Sequence, residues 1–362
     1  MSLRVAMAVR ADWQTRRGGD TVQMEQTAAH LEKSGVAVIF RTDPSASLSD
    51  VDLVHLTHLS RVHVSWPHFR AAQAAGKPVV MSTIYFRTGG PPSGLIENAK
   101  LYARWLSPRG SATRGDLFRS VLRGYDRARR EMATGCLLLP NSRAELRLLE
   151  AEFGSNIRAR VIPNAVDAAG CRQLAGRDDI PRKRQILCVG HFDPRKNQHA
   201  LAQAMHDTDV PVVFIGQERG FLGGELRATR RWARPAMQFL GSLPHAQVLQ
   251  HMRQSAVVAC PSFYETPGLA SLEAGAMGCN LALARCEPVE EYFKDQVHYF
   301  DALDIADIRR GVLAALEGKA NANLAERIFR EFDWSAAARQ TNEAYEAAMD
   351  RNSQDQWNSR GI

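Results

Sequence analysis

Along the chain, short apolar runs alternate with longer segments in which apolar residues recur every third or fourth position. The short runs of the first half are Arg4–Val9, Val36–Phe40, Leu53–Leu56, Pro78–Ser82, Cys136–Leu139 and Val161–Ile162. Those of the second half are Gln185–Val189, Val212–Ile215, Met237–Leu240, Val257–Cys260 and Asn280–Ala284. Short runs bounded by turn residues read as buried strands, and the periodic segments between them, such as Thr21–Lys33, Trp66–Ala75 and Ser142–Glu152, read as helices. Strand–helix alternation predicts parallel sheets with helices on both faces. The alternation runs twice, once on each side of 163–181, a stretch punctuated by Gly, Asn, Asp and Pro. The expected class is therefore α/β, with two doubly wound Rossmann-like lobes facing one cleft. Residues 1–163 form the first lobe, 164–180 a linker and 181–335 the second lobe. Residues 336–349 form a last helix returning to the first lobe, and 350–362 a loose polar tail. Ligands of open α/β sheets bind at the C-terminal ends of the strands, so the strand-to-helix loops are where chemistry is expected.

Composition narrows this picture without redirecting it. The 362 residues are 45% hydrophobic and 23% charged, which fits globular domains and excludes collagen, coiled coil and wholesale disorder. No continuous apolar run approaches the roughly 18–20 residues of a membrane span. Arg4 and Arg10 interrupt the first apolar run, which reads as a strand and not as an export signal, so a cytoplasmic location is expected. The cysteines, at 136, 171, 188, 260, 279 and 286, show neither a C-x-x-C pair nor zinc spacing, and several sit in strand-like runs. They read as small buried thiols of a reducing compartment. Charge is uneven: residues 1–165 hold 23 Lys/Arg against 14 Asp/Glu, and residues 166–362 hold 23 against 25. The excess is densest over 100–130, where nine basic residues face Asp116 and Asp126. Two readings fit that stretch: an amphipathic helix with a solvated arginine face, or a surface that meets an anionic acceptor or membrane.

The most informative loop is Ser262–Ala284, which follows one strand run and enters another. Thr266 before Pro267 reads as an N-cap followed by an N1 proline, leaving the amides of Gly268 and Leu269 at the positive end of a helix. Glu273 is the only charge between Thr266 and Ala284 and falls on the apolar arc of that helix. A carboxylate there needs a partner, and a ribose diol is one that offers two hydroxyls. The bland alternative is a capped core helix whose Glu273 pairs with a lysine or arginine. Asp50-Val51-Asp52 is a D-x-D string, but it precedes a strand and so points away from the strand ends; no metal site is expected.

The frame S-x-x-E-x-x-G-L-x-x-L-E-A-x-A-x-G, from Ser262 to Gly278, resembles the retaining glycosyltransferases of family 4, whose fold is the two-lobed GT-B. Leu138-Leu139-Pro140-Asn141-Ser142 is similar to the end of that family's first lobe. Val161-Ile162-Pro163-Asn164-Ala165-Val166-Asp167 is similar to its interdomain segment, with Ala165 in place of glycine. Val189-Gly190 followed by Asp193-Pro194-Arg195-Lys196-Asn197 resembles its phosphate loop. The resemblance implies that Lys196, helped by Arg195, holds the diphosphate and that Glu265 contacts the donor sugar. It places Glu273 on the ribose and the backbone of Leu243, after Phe239-Leu240-Gly241, at the base. Gly18 and Gly19 resemble the glycine pair after the first strand; His191, Thr266, Gly268 and Leu269 complete the donor set. Arg16, Asp20, Tyr85 and Arg87 are the positions it suggests on the acceptor side. Two departures stand out: His191 replaces an arginine, and Pro267 removes an amide.

The activity so implied is transfer of a sugar, with retention, from a UDP- or GDP-sugar to a saccharide or lipid-linked saccharide in surface polysaccharide assembly. Fixed cations and helix amides take the leaving-group charge, so no cofactor is required. Partners are then the nucleotide sugar, the acceptor and an anionic membrane surface meeting 100–130 at the inner face, with no nucleic acid. A nucleotide-sugar 2-epimerase of similar fold and a catalytically inactive nucleotide-sugar-binding protein are the competing readings.

Overall fold

The computed structural model describes residues 2–86, 125–176, 181–218, 224–319 and 321–350, which divide into two compact units. In the first unit, a parallel sheet has the order β2-β1-β3-β4-β5. Its strands are β1 (Arg4–Ala8), β2 (Ala37–Arg41), β3 (Leu53–Thr57), β4 (Val79–Ser82) and β5 (Leu137–Leu139). Every residue of β3, β4 and β5 is buried, as a sheet covered on both faces requires. Val161–Ile162 is not a strand. Instead the segment before it runs beside β5, with Leu138 N donating to Arg158 O and Arg160 N to Leu138 O, at 2.8 and 2.9 Å. The helix expected from Trp66 begins four residues earlier, at Val62, with Pro67 inside it. Pro67 resembles a helix start in sequence, yet the fold carries it in the second turn.

The helix Trp334–Met349 belongs to the first unit and packs on the helix Gly19–Lys33 and on β4. A buried chain of polar groups anchors it. Tyr345 Oη lies 2.7 Å from His55 Nδ1, and His55 Nε2 lies 2.9 Å from Ser82 Oγ. Burial drives the His55 imidazole down to about 3, so it is neutral at physiological pH. A second buried tie holds the loop after β4. Glu145, wholly buried, accepts from Thr83 Oγ1 (2.5 Å), Tyr85 N (2.6 Å) and Asn141 N (2.7 Å).

The second unit carries a parallel sheet of order β11-β10-β9-β6-β7-β8. Its strands are β6 (Lys183–Val189), β7 (Val212–Ile215), β8 (Met237–Phe239), β9 (Ser255–Cys260), β10 (Asn280–Ala284) and β11 (His298–Phe300). The stretch 164–180 is not a plain linker. Ala168–Ala175 form a helix that Asp167 caps by accepting from Gly170 N at 3.1 Å, and Ala168 and Cys171 are buried in the second unit's core. The Gly and Asp that read as breakers there are a cap and its first turn. The tail from 351 lies outside the described residues, as does 100–124 of the basic stretch. Residues 125–130 begin the helix Tyr125–Gly135, which buries Ala128, Arg129, Met132 and Ala133. No described helix is long and apolar enough to cross a membrane.

Candidate functional site

The site is built from loops at the C-terminal ends of β6, β7, β8 and β9. After β6 the chain passes Gly190 at φ +151° and makes a short 3-10 turn, Pro194–Lys196. Asp193 starts the turn by accepting from Arg195 N at 2.9 Å. Asn197, in the left-handed region at φ +55° and fully buried, ends it. Its Nδ2 donates to Pro261 O at 3.2 Å and Ala302 O at 2.9 Å, so the loops after β9 and β11 are fastened to this turn. Gln198 Nε2 donates to His191 O at 2.7 Å. Gly216, after β7, approaches so closely that a Cβ there would lie 2.0 Å from Gly190 O. Only glycine fits that crossing, and φ +148° would strain any other residue. Arg195 and Lys196 thus project from a turn braced on several sides.

Their charges converge on Glu265. Lys196 Nζ pairs with Glu265 Oε1, and Arg195 Nη1 lies 3.3 Å from the same oxygen while donating to Tyr264 O at 2.5 Å. Phe263 N donates back to Arg195 O at 2.9 Å. Burial works against ionisation of Glu265, but Lys196 and Arg195 outweigh it and, with hydrogen bonds from Lys196 and Ser262, hold the carboxyl at about 2. Glu265 Oε2 faces Gly268, where an added Cβ would stand 3.4 Å away.

Thr266 is not the N-cap that its sequence suggests. The helix runs Leu269–Ala276, and Gly268, at φ +90°, occupies the cap position with no side-chain hydrogen bond. Glycine takes this backbone geometry where threonine would be strained, so the helix starts later and its first amides follow Gly268 directly. Glu273 lies in the second turn, 14% exposed, and its partner is neither lysine nor arginine. His245 Nε2–H donates to Glu273 Oε1 over 2.8 Å. His245 opens the helix His245–Gln254 two residues after Leu243. Sequence reasoning missed His245, because 28 positions separate the partners and no motif marks the pairing.

In the first unit, Gly18 is extended and precedes the helix that begins at Gly19. Asp20, suggested on the acceptor side, is the hub of a charge cluster within the unit. It pairs with Arg10, with Arg61 at 2.8 Å and with His58 Nε2 at 3.1 Å. Burial raises its carboxyl, but His58, Arg61 and Arg10 together hold it far below the usual carboxylate range. His58 sits at φ +66°, a strained position for a non-glycine residue, and burial followed by Arg61 lowers its imidazole to about 4. Arg16 is exposed, 3.5 Å from Asp12. Tyr85 is 4% exposed, with its ring against Phe153, and so is packed inside the unit. Arg87 lies outside the described residues. Both carboxylates of the D-x-D string have partners within the unit: Asp50 pairs with Arg41 at 2.7 Å, and Asp52 accepts from the main-chain amide of Arg4 at 2.9 Å. Among the described residues no three His, Cys, Asp or Glu side chains are grouped to hold a metal ion.

Residues 177–331, most of the second unit, match the family model described as glycosyl transferases group 1. The sucrose-phosphate synthase of Thermosynechococcus elongatus superposes with a TM-score of 0.70 at 14% identity, over 96% of this chain and 98% of that one. Anabaena HepE, solved with UDP and glucose, superposes with a TM-score of 0.68 at 15% identity, over 96% and 100%. These likenesses show the fold: the chain has the GT-B architecture of two Rossmann-like units. The glycogen synthase of Mycobacterium tuberculosis (strain ATCC 25618 / H37Rv) is 27% identical over 202 residues, which is 52% of this chain and 48% of its own length. The chain spans about half the length of the curated relatives it matches.

Proposed function

We propose that this protein is a glycosyltransferase that moves a sugar, with retention of configuration, from a nucleotide-diphosphate sugar to a saccharide or lipid-linked saccharide acceptor of surface polysaccharide assembly. The observation that carries the reading is the Arg195–Lys196 turn, whose two cations meet the ionised, buried Glu265 beside the start of the Leu269–Ala276 helix. Departure of a nucleoside diphosphate develops negative charge on phosphate oxygens. Cations held on a braced turn, together with the first amides of a helix, stabilise that charge without reorganising. In this reading Lys196 and Arg195 serve the diphosphate, Glu265 the donor sugar, Glu273 the ribose and the backbone of Leu243 the base. The positive charge comes from side chains, so no metal ion is required.

UDP is the favoured nucleotide, because it occupies the fold-mate HepE; a GDP-sugar is the alternative. Retention is supported by the resemblance of the Glu265…Glu273 frame to retaining enzymes. The protein acts at the cytoplasmic face of the membrane, which its basic stretch 100–130 meets.

The test begins with thermal shift against UDP-, GDP- and ADP-sugars, where a ligand at 100 times its dissociation constant adds about 2.7 kcal/mol of stability. The stabilising donor is then incubated with saccharide acceptors, in EDTA. The expected result is a glycosylated acceptor and free nucleoside diphosphate, with the donor's anomeric configuration kept in the NMR spectrum. Epimerised nucleotide sugar without transfer would establish the isomerase reading instead. Inverted product would refute retention, and activity lost in EDTA and restored by manganese would refute metal independence.

A further inference from the structure

His245 is the one side-chain partner of Glu273 among the described hydrogen bonds and ion pairs, and its position is built rather than incidental. Its main chain is fixed at both ends of the loop after β8. Gly216 N donates to Gly241 O at 2.8 Å, and Gln247 N and Val248 N donate to Pro244 O at 2.9 and 3.1 Å. Val248 and Met252, on the helix His245 begins, are buried in the same core as Leu272 and Ala276, on the helix that carries Glu273. The packing of these two helices therefore sets the distance between imidazole and carboxylate.

A free glutamate side chain samples several torsions, and binding a diol requires both carboxylate oxygens in one plane facing both hydroxyls. A donor on Oε1 removes that freedom while leaving Oε2 and the second lone pair of Oε1 for a ligand. We propose that His245 is a positioning residue for nucleotide binding, which orients the Glu273 carboxylate toward the ribose hydroxyls. The proposal rests on the reading of Glu273 as the ribose-binding carboxylate. The imidazole is 58% exposed and the carboxylate 14%, so His245 can be replaced without opening the core.

The test uses the full chain and isothermal titration calorimetry. Its probes are UDP or GDP, whichever binds the parent more tightly, and the 2′,3′-dideoxy analogue of that nucleotide. His245→Ala should weaken the nucleotide about tenfold, the worth of one charge-assisted hydrogen bond at a partly exposed site, and leave the dideoxy analogue unchanged. His245→Gln, which keeps an N–H donor on a chain of similar length, should restore most of the affinity. Equal weakening of both probes, or no weakening of either, overturns the proposal; so does failure of His245→Gln to rescue. Glu273→Gln is the reference variant. If it too weakens both probes equally, the ribose reading of Glu273 is wrong, and that failure is distinguished from the case in which Glu273→Gln discriminates the probes but His245→Ala does not.

Discussion

Replacing Glu265 by glutamine removes one charge from the centre of the site while keeping its shape. Burial opposes ionisation of Glu265, yet Lys196 and Arg195 bring the carboxyl from 4.5 to about 2. At about 1.4 kcal/mol per unit, this depression corresponds to about 3 kcal/mol of stability at neutral pH. The Lys196 and Arg195 side chains are 21% and 35% exposed, so solvent screens part of it, and we expect a loss of about 1–3 kcal/mol. A depressed carboxyl contributes stability above its unfolded value of 4.5 and loses it as the pH falls toward about 2. Urea denaturation should therefore show Glu265→Gln less stable than the parent at neutral pH, with the gap closing as the pH falls through that window. The same variant leaves the two cations without their carboxylate. Inorganic pyrophosphate, titrated calorimetrically, should bind it several-fold more tightly, because one repulsive charge has gone. Turnover with a nucleotide sugar should fall, because Glu265 is the group assigned to the donor sugar. A stability gap independent of pH, or weaker pyrophosphate binding, would refute this account of the Glu265 network.

Three further outcomes follow from the geometry. Lys196→Ala should lower turnover more than it weakens nucleotide-sugar binding, because the leaving-group charge it meets is greatest in the transition state; equal effects on kcat and on donor Kd would remove Lys196 from that role. Gly216→Ala, whose Cβ would stand 2.0 Å from Gly190 O at φ +148°, should cost about 2–4 kcal/mol in chemical denaturation and weaken pyrophosphate binding through the displaced loop; parent-like stability would contradict the crossing. Tyr345→Phe strips His55 Nδ1 of its partner in a fully buried site, so it should cost about 1–3 kcal/mol and speed hydrogen exchange in the helix Trp334–Met349; a loss under about 0.5 kcal/mol would show that the pair does not anchor the helix.

Much of the architecture is written in local pattern. Strands buried on both faces are continuous apolar runs, so most strands of both sheets could be placed from sequence, and their alternation with helices implied parallel order. The Asp193–Asn197 segment was legible through its resemblance to the family's phosphate loop after a strand, and the structure makes it a turn with a capping aspartate at one end and a left-handed asparagine at the other. Local pattern failed where a distant contact decided the outcome. Residues His298–Phe300 are a run of three, too short to announce a strand, and they become one because β10 supplies the pairing edge. Residues 168–175 resembled linker because Gly, Asn, Asp and Pro punctuate the stretch around them, yet a helix forms there by burying Ala168 and Cys171 in the core of the second unit.

The sequence alone determined the fold class and the family resemblance, and through that resemblance it singled out Arg195, Lys196, Glu265 and Glu273 as candidates, since the motifs that carry it each lie along one stretch of chain. Tertiary structure decided which of those residues meet and in what state. It set Glu265 against two cations 69 and 70 positions away, which is what keeps a buried carboxylate ionised. It gave Glu273 a histidine from another helix. It tied Asp20 to Arg10, His58 and Arg61 and packed the Tyr85 ring on Phe153. The physical reason is range: periodicity, capping and backbone propensity act over a few residues, whereas the desolvation and pairing that fix a charge depend on whatever the packed core brings within a few ångströms of it.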